Sequence, residues 1–584
     1  MLRRWSVSNF KSIGALAEVE FLDLTVLVGS NSSGKSSLIQ SVLVVAQSFR
    51  SRAAPSRPLI WNGDLVRLGT APDVLHLPAD PDQPGISLGF TLELAGGREL
   101  EGASGRRVVD IGATLVPEAA SSSSATPADM AVASSVLELK EPTTGRRRPR
   151  IAVERRPGHT KLWRLAAANP QGAGALPALE YEIKLSGAMT ASDPWSVLLG
   201  QEWAPAGGPI AAEFDRFIPS ALIVASQPER QRLDRLEHLA LIRQSGKARN
   251  LSGPLLESVI GIQLDQMAPE SGLKEIADQI RKGRNLKSAI ERIHEEQRRL
   301  ASPHMPQRLN LPEPIGVIAR DTRHALAEGI RYLGPLRDDP RAVYPLPATS
   351  SIGDVGVKGQ FTAAVLHANA SQSVRYVDVM QPEPREVETT LHQGVQYWLR
   401  QMNLLEDVAT AEAGKLGYTV TVQAVDTKTF VDLTSVGVGV SQVLPILVQA
   451  LLAPPDTLLI FEQPELHLQP AVQSSLADFL LAIALSGRRV LVETHSDHFV
   501  TRLRRRVAEG RASRPGSQPQ RRSPTKANES VRLYFVTRVG GSSIFRKMAI
   551  NSGGAFSEWP IGFLDHEARE AEALLSASIG RAEG

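Results

Sequence analysis

The 584-residue chain contains no cysteine. Disulfide staples and thiolate metal ligands are therefore excluded, and the composition suits a reducing cytoplasm. Aromatic residues make up only 5% of the sequence, which leaves little from which to build a base-stacking surface for single strands. Charge of one sign is lacking too: 65 basic against 62 acidic residues leave +3, too little to mark the whole molecule as a polyanion binder. No run approaches the roughly 20 apolar residues of a membrane-spanning helix, and the start, MLRRWSVSNFKSIG, has no apolar stretch of signal-peptide length. These absences lead to the expectation of a globular, cytoplasmic protein of several domains with no membrane contact.

Residues Trp5 to Gly14 and Leu22 to Val28 read as strands, and a helix follows. In it Leu38, Val42 and Val45, with Ile39, Leu43 and Ala46, are spaced as a face packed on a sheet. Between strand and helix stands GSNSSGKSS, Gly29 to Ser37, which fits G-x-x-x-x-G-K-[ST] in the strand–loop–helix context that gives this pattern its mechanism. Gly29 and Gly34 permit backbone angles that turn successive N–H groups inward, and the helix opening near Lys35 adds its positive end to a phosphate cradle. Lys35 is expected to reach the β and γ phosphates, Ser36 to give its hydroxyl to Mg²⁺, and Asn31 and Ser37 to stand beside the phosphates. ATP and Mg²⁺ are the cofactors this implies.

Five stretches follow one another. Residues 1–80 form the N-terminal half of a nucleotide-binding head. Residues 81–330 read as a large α+β insertion: runs such as ISLGFTLEL suggest antiparallel strands, and AASSSSATPADMAVASS is low-complexity. Within it, Leu273 to Leu300 has a helical period interrupted by Gly283, as in a helical hairpin. Residues 331–510 return to strand and helix alternation, and TLLIFEQPE and RRVLVETHS each carry polar groups at the C-terminal end of an apolar strand, the edge where open sheets bind ligands. Residues 511–530, rich in Pro, Ser and Arg, read as a disordered linker, and 531–584 as a small C-terminal module.

VSNFKSIG, the P-loop, EQPELHLQP and VETHSD occur in an order that resembles the SMC, RecF and OLD-type branch of ABC-like AAA ATPases. YLGPLRDDP, Tyr332 to Pro340, and the ending INSGGAFSEWPIGFLDHE resemble more closely a bacterial family of such ATPases whose C-terminal domain has no characterised function. The resemblance implies an α/β fold with a P-loop ABC-type head: a mixed, mostly parallel sheet with flanking helices, built from the two ends of the chain. It implies that Glu462 helps to hold Mg²⁺ and that His495 senses the γ-phosphate. It further implies that LTSVGVGVSQVLPIL supplies a signature, through Gly439, Ser441 and Gln442, that reaches the P-loop of a second copy in a homodimer. The pattern departs there, because Gly437 stands where a signature serine would align.

It departs again at Gln463, where relatives place the glutamate that polarises the attacking water. An amide orients water but cannot take its proton, and losing a general base costs ~10²–10⁴-fold without abolishing a reaction that rests on positioning and electrostatics. Glu465 is an alternative base; His467 is another candidate, set against an ordinary surface histidine. Basic clusters at Arg146 to Arg156 and Arg502 to Arg506 make DNA a candidate partner, set against a solvated helix face carrying Phe499, Leu503 and Val507 on its other side. Trp559, Pro560 and Phe563 read as a docking core, and nothing after His495 offers a nuclease carboxylate cluster. The function expected is a slowly hydrolysing, dimeric, ATP-gated sensor or clamp in bacterial anti-phage defence or DNA maintenance, with an effector protein in trans. The alternative is a nucleotide-locked scaffold with negligible turnover.

Overall fold

The computed structural model describes residues 1–51, 57–77, 85–94, 107–117, 130–140, 150–155, 181–186, 209–226, 271–283, 285–299, 305–310, 315–346, 353–515 and 527–556, with a few isolated positions besides. They fall into two compact units, one spanning Met1–Gly97, Ala103–Ala131 and Asp321–Gly584, the other Arg98–Gly102 and Val132–Arg320. Among the described residues no helix is long and apolar enough to cross a membrane.

The first unit opens with β1 (Leu2–Ser8), β2 (Ala17–Glu20) and β3 (Leu24–Gly29), then α1 (Lys35–Arg50) and the single turn α2 (Ala71–Val74). β4 (Ile86–Leu94) and β5 (Arg107–Pro117) join β1 and β2 in an antiparallel array ordered β2-β1-β4-β5. Trp5 of β1 stacks on Phe90 of β4 and donates its indole N–H to Ser41 Oγ of α1 at 2.9 Å, which fixes the helix's apolar face inward. The first strand is shorter than its apolar residues suggest. Asn9 and Lys11 take positive φ, 55° and 51°, so NFKSIG is a tight turn closed by Asn9 N–H on Gly14 O.

The second unit holds most of β6 (Met130–Lys140), with β7 (Arg150–Arg155) and β8 (Tyr181–Ser186) in antiparallel succession. A separate sheet, ordered β11-β10-β9, contains β9 (Pro209–Asp215), β10 (Ile218–Ser226) and β11 (Met305–Asn310). Between the last two in sequence, α3 (Ser271–Lys282) and α4 (Leu286–Arg299) turn on Gly283 at φ 61° and pack through Ile276, Ile280, Ala289 and Ile293. α5 (Ile315–Glu328) then leads into β12 (Ile330–Leu333).

From there the first unit continues with α6 (Thr362–Asn369), the hairpin β13 (Ser373–Asp378) and β14 (Arg385–Thr390), and α7 (Leu391–Gln401). An antiparallel trio, β15 (Asp407–Glu412), β16 (Tyr418–Gln423) and β17 (Phe430–Asp432), precedes α8 (Val438–Leu452). β18 (Leu458–Glu462), α9 (Pro470–Leu485), β19 (Arg489–Glu493), α10 (Asp497–Ala508), β20 (Ala527–Val539) and β21 (Ser542–Asn551) complete it. The central sheet runs β12-β18-β19-β3-β20-β21, parallel except for the final pair. Its inner strands, LTVLVG, LLIFE and RVLVE, are almost wholly buried, as a parallel sheet covered on both faces requires. One core joins these strands to α8 and α9, with Trp398 of α7 edge-on to Phe479 at 5.2 Å.

Three boundaries differ from those expected. β4 and β5, expected in the insertion, hydrogen-bond in the first unit's antiparallel array. Residues 531–551, expected in a separate C-terminal module, form the edge of the central sheet, because β20 pairs with β3 from Val531–Leu24 to Val536–Gly29. The expected linker is ordered at its ends, where Arg511 bonds Met380 O and Asn528 bonds Ala512 O. Its middle, 516–526, lies outside the described residues, as do most of the serine-rich loop, 146–149, and Trp559, Pro560 and Phe563.

On α10 the arginines are not a free outer face. Arg506 is buried and grips Asp478 of α9 through Nε and Nη2 at 2.6 and 2.8 Å, and Arg502 approaches the same carboxylate at 3.4 Å. Arg505 pairs with Glu509, while Arg504 bonds Gly554 O and lies over the Phe556 ring. These arginines are thus engaged largely within their own chain.

Candidate nucleotide-binding site

β3 delivers the chain to the loop at Gly29, whose φ of 141° and close approach to β20 both require glycine: a Cβ there would lie 2.2 Å from Val536 O. Gly34, at φ 107°, turns the chain into α1, and a Cβ there would strike Ser543 Oγ at 2.0 Å and Ser12 Oγ at 2.6 Å. The loop is thus clamped from outside by the NFKSIG turn and by the β20–β21 hairpin. A line of hydroxyls marks the clamp, with Ser543 donating to Ser12 at 2.8 Å and Ser12 donating to Ser37 at 2.9 Å. Ser12 and Ser543 were not singled out from the sequence; Ser12 sits in the quoted NFKSIG, while Ser543 has no local signal.

Lys35 is 3% exposed. Its ammonium donates to Gly29 O at 3.1 Å and Ser30 O at 2.9 Å, so it faces back over the loop it follows. Burial lowers its pKa, an effect opposed by Glu493 and Glu465. Ser33 is buried and its Oγ has no partner; Asn31 is exposed at the loop's tip. Ser36 Oγ donates to the carboxylate of Glu493 at 3.0 and 3.3 Å, and Glu493 Oε1 is 3.9 Å from Lys35 Nζ.

Glu462 ends β18 and is buried, accepting a hydrogen bond from the Tyr332 hydroxyl of β12. Burial, and then the charge of Glu493, push its carboxyl up to about 8. Gln463 follows with φ 42°, a left-handed backbone that a non-glycine residue rarely adopts, and its N–H donates to Glu493 O at 2.8 Å. Glu465 lies buried beneath the next loop: Oε1 accepts the His495 backbone N–H at 2.7 Å and the carboxylate accepts from the Thr494 hydroxyl. Its Oε2 is buried without a partner. Arg337, from YLGPLRDDP, sits near Glu465 and bonds Glu462 O at 3.4 Å; Nε and Nη1 have no partner, and burial lowers its pKa to about 10. Burial, and then the charge of Lys35, lower the pKa of the His495 imidazole. His467 is exposed, at φ 62°.

The structure therefore gathers Lys35, Ser36, Glu462, Glu465 and His495 with three residues to which the sequence reading gave no role: Glu493, Arg337 and Tyr332. The signature residues are not part of this cluster in one chain. Ser441 is buried and its hydroxyl turns back onto Val438 O at 2.7 Å, Gln442 is buried beside it, and Gly439 packs near Leu468. The exposed positions at this helix start are Gly437 and Val438. Ser441 and Gln442 face inward because α8 spends its first turns packing, with Val440 and Val443 in the core.

Strand, glycine loop and helix, set in a mostly parallel sheet with helices on both sides, define an α/β fold of the P-loop, ABC-type head class. Residues 375–501 match a family described as "AAA domain, putative AbiEii toxin, Type IV TA system". No curated protein matches the chain. Among solved structures the chain is similar to an Smc head domain with an extended coiled coil bound to the C-terminal domain of ScpA from Pyrococcus furiosus (11% identity, 94% of this chain and 96% of that one, TM-score 0.32). It is similar also to the SMC head domain from Thermotoga maritima (9%, 94% and 98%, 0.32) and to an Smc head domain with a coiled coil and joint from Pyrococcus yayanosii (12%, 98% and 99%, 0.33). The class rests on the strand, glycine loop and helix and on the strand order of the sheet that holds them.

Proposed function

We propose that the chain binds ATP with Mg²⁺ at the P-loop, hydrolyses it slowly, and uses that cycle as a dimeric sensor or clamp in bacterial anti-phage defence or DNA maintenance. The observation that carries the reading is Lys35: a buried ammonium whose two bonds go to neutral carbonyls of a glycine loop at the start of a sixteen-residue helix. The residues fit a triphosphate. Ser33 Oγ is a buried donor without an acceptor, and Gly29 and Gly34 hold backbone that no side chain could follow. Backbone amides of the loop, Lys35, Ser36, Ser37 and Asn31 would hold the phosphates. Magnesium, when bound, supplies the positive charge that the phosphates need, with Ser36 and Glu462 as its side chains. Magnesium ordinarily takes one or two protein oxygens beside substrate phosphates and water, which these two side chains would supply.

Within this reading Gln463 orients the attacking water and His495 faces the γ-phosphate. Glu465 is poorly placed to act as base, because it is buried and holds the backbone of His495. That observation favours the slow catalyst, and it also supports the second reading, a nucleotide-locked scaffold that recruits an effector protein. The proposed contact with a second copy runs through the start of α8, at the exposed Gly437 and Val438 and the half-buried Gly439, with Ser441 and Gln442 buried behind them. Titrating a labelled ATP analogue plus Mg²⁺ against wild type and Lys35→Ala tests the core of the proposal. A loss of affinity of about 100-fold or more is expected from removing a charge-assisted phosphate contact made in a buried site. Equal affinity would overturn it.

A further inference from the structure

In the central sheet β19 lies between β18 and the P-loop strand β3. Glu462 on β18 is therefore one strand removed from the loop, and its register partner Glu493 on β19 is the nearer acid. The side chains follow this order. Ser36, the residue expected to meet the metal, donates to both oxygens of Glu493, whereas Glu462 is taken up by Tyr332. Glu493 is only 4% exposed. Three buried carboxylates, Glu462, Glu465 and Glu493, gather here with two buried cations, Lys35 and Arg337. Two neighbouring polar atoms are buried without partners, Ser33 Oγ in the loop and Oε2 of Glu465, which lies close enough to feel both Lys35 and Glu493. A divalent cation beside Ser36 would find there the carboxylate and hydroxyl oxygens that magnesium prefers.

We propose that Glu493 is the carboxylate that, together with Ser36, holds the magnesium ion of the bound nucleotide, and that Glu462 acts on that ion from one strand further away. The inference rests on the reading of the P-loop as a Mg²⁺–ATP site and adds to it a ligand from the switch strand. In the same position Glu493 ties the metal to His495, two residues on, so the loop that faces the γ-phosphate is anchored at the ion.

The rival explanation is that Glu493 serves only as a counter-ion to Lys35. The two differ in how affinity responds to magnesium. With the full chain, a fluorescent ATP analogue is titrated at stepped free Mg²⁺, including a magnesium-free series in EDTA, against wild type, Glu493→Gln, Glu493→Asp, Glu462→Gln and Lys35→Ala. In parallel, electron paramagnetic resonance of Mn²⁺ in the nucleotide complex reads the metal's ligand field directly. For Glu493→Gln the free Mg²⁺ needed for half-maximal tightening is expected to rise tenfold or more. Its magnesium-free affinity should be unchanged or tighter, because an anion near the triphosphate is gone. Glu493→Asp, which keeps the carboxylate, should fall between the two, with a Mn²⁺ spectrum nearer wild type; it also covers the case in which the glutamine variant fails to fold. A wild-type magnesium dependence in Glu493→Gln or in Glu493→Asp, or a shift found only in Glu462→Gln, would overturn the assignment. Undiminished binding by Lys35→Ala would instead remove the nucleotide site on which it depends.

Discussion

Gln463 combines two unusual properties at one position: an amide in place of an acid, and a left-handed backbone at φ 42°. The strain is held by the bond from its N–H to Glu493 O, a contact that glutamate at this position would keep. Gln463→Glu should therefore fold as wild type and restore a proton acceptor, raising single-turnover hydrolysis by well over tenfold, toward the ~10²–10⁴-fold that a general base contributes. An unchanged rate would move the search for the base elsewhere, and Glu465 is a poor candidate because it is buried and its Oε1 already holds the His495 backbone N–H. At this scale the sequence was most informative where chemistry is encoded within a few neighbouring residues. Lys35, Ser36 and Gly34 declare themselves by spacing. Glu493 does not, because what makes it notable is its register against Glu462 and its reach to Ser36, both products of strand order. Arg506 misleads in the same way: it stands in a run of arginines, yet its guanidinium is buried on Asp478.

The β20–β21 hairpin changes the meaning of the chain's last third. Its outer turn presses Ser543 against Gly34 and links it through Ser12 to Ser37, and its first strand supplies the carbonyl of Val536 that excludes any side chain at Gly29. If that hydroxyl line positions the loop, Ser543→Ala should weaken ATP binding about fivefold, the worth of one net hydrogen bond of ~1 kcal/mol, with little change in melting temperature. Equal affinities, measured with the same labelled nucleotide, would reduce the contact to simple packing. Periodicity identified β3, α1, β18 and β19, whose aliphatic runs leave few alternatives. It misplaced β20 and β21, since a parallel partner contributed from far along the chain leaves no local mark, and their alternating burial reads equally well as a free-standing hairpin.

At the scale of the molecule, ATP-gated pairing of two copies predicts a change of size. Light scattering of the purified chain should give a dimer with Mg²⁺–ATP and a monomer once nucleotide is removed, the contact running through the exposed start of α8 at Gly437 and Val438. A monomer in both conditions would set the paired reading aside and leave the scaffold. The two-ended construction of the head was legible from the distance between the P-loop and EQPELHLQP. The share taken by β4 and β5 was not, because alternating strands carry no label for the sheet they join.

The position of β3 sets a further condition, on biosynthesis. Both of its neighbours, β19 and β20, are translated long after it, so the nascent chain carries LTVLVG with each edge unpaired until they emerge. Such a segment invites wrong pairing, and a ribosome-associated chaperone is the natural guard for it. The nucleotide cradle thus comes into being only after β20 has been made, when its hairpin settles alongside β3 and locks it.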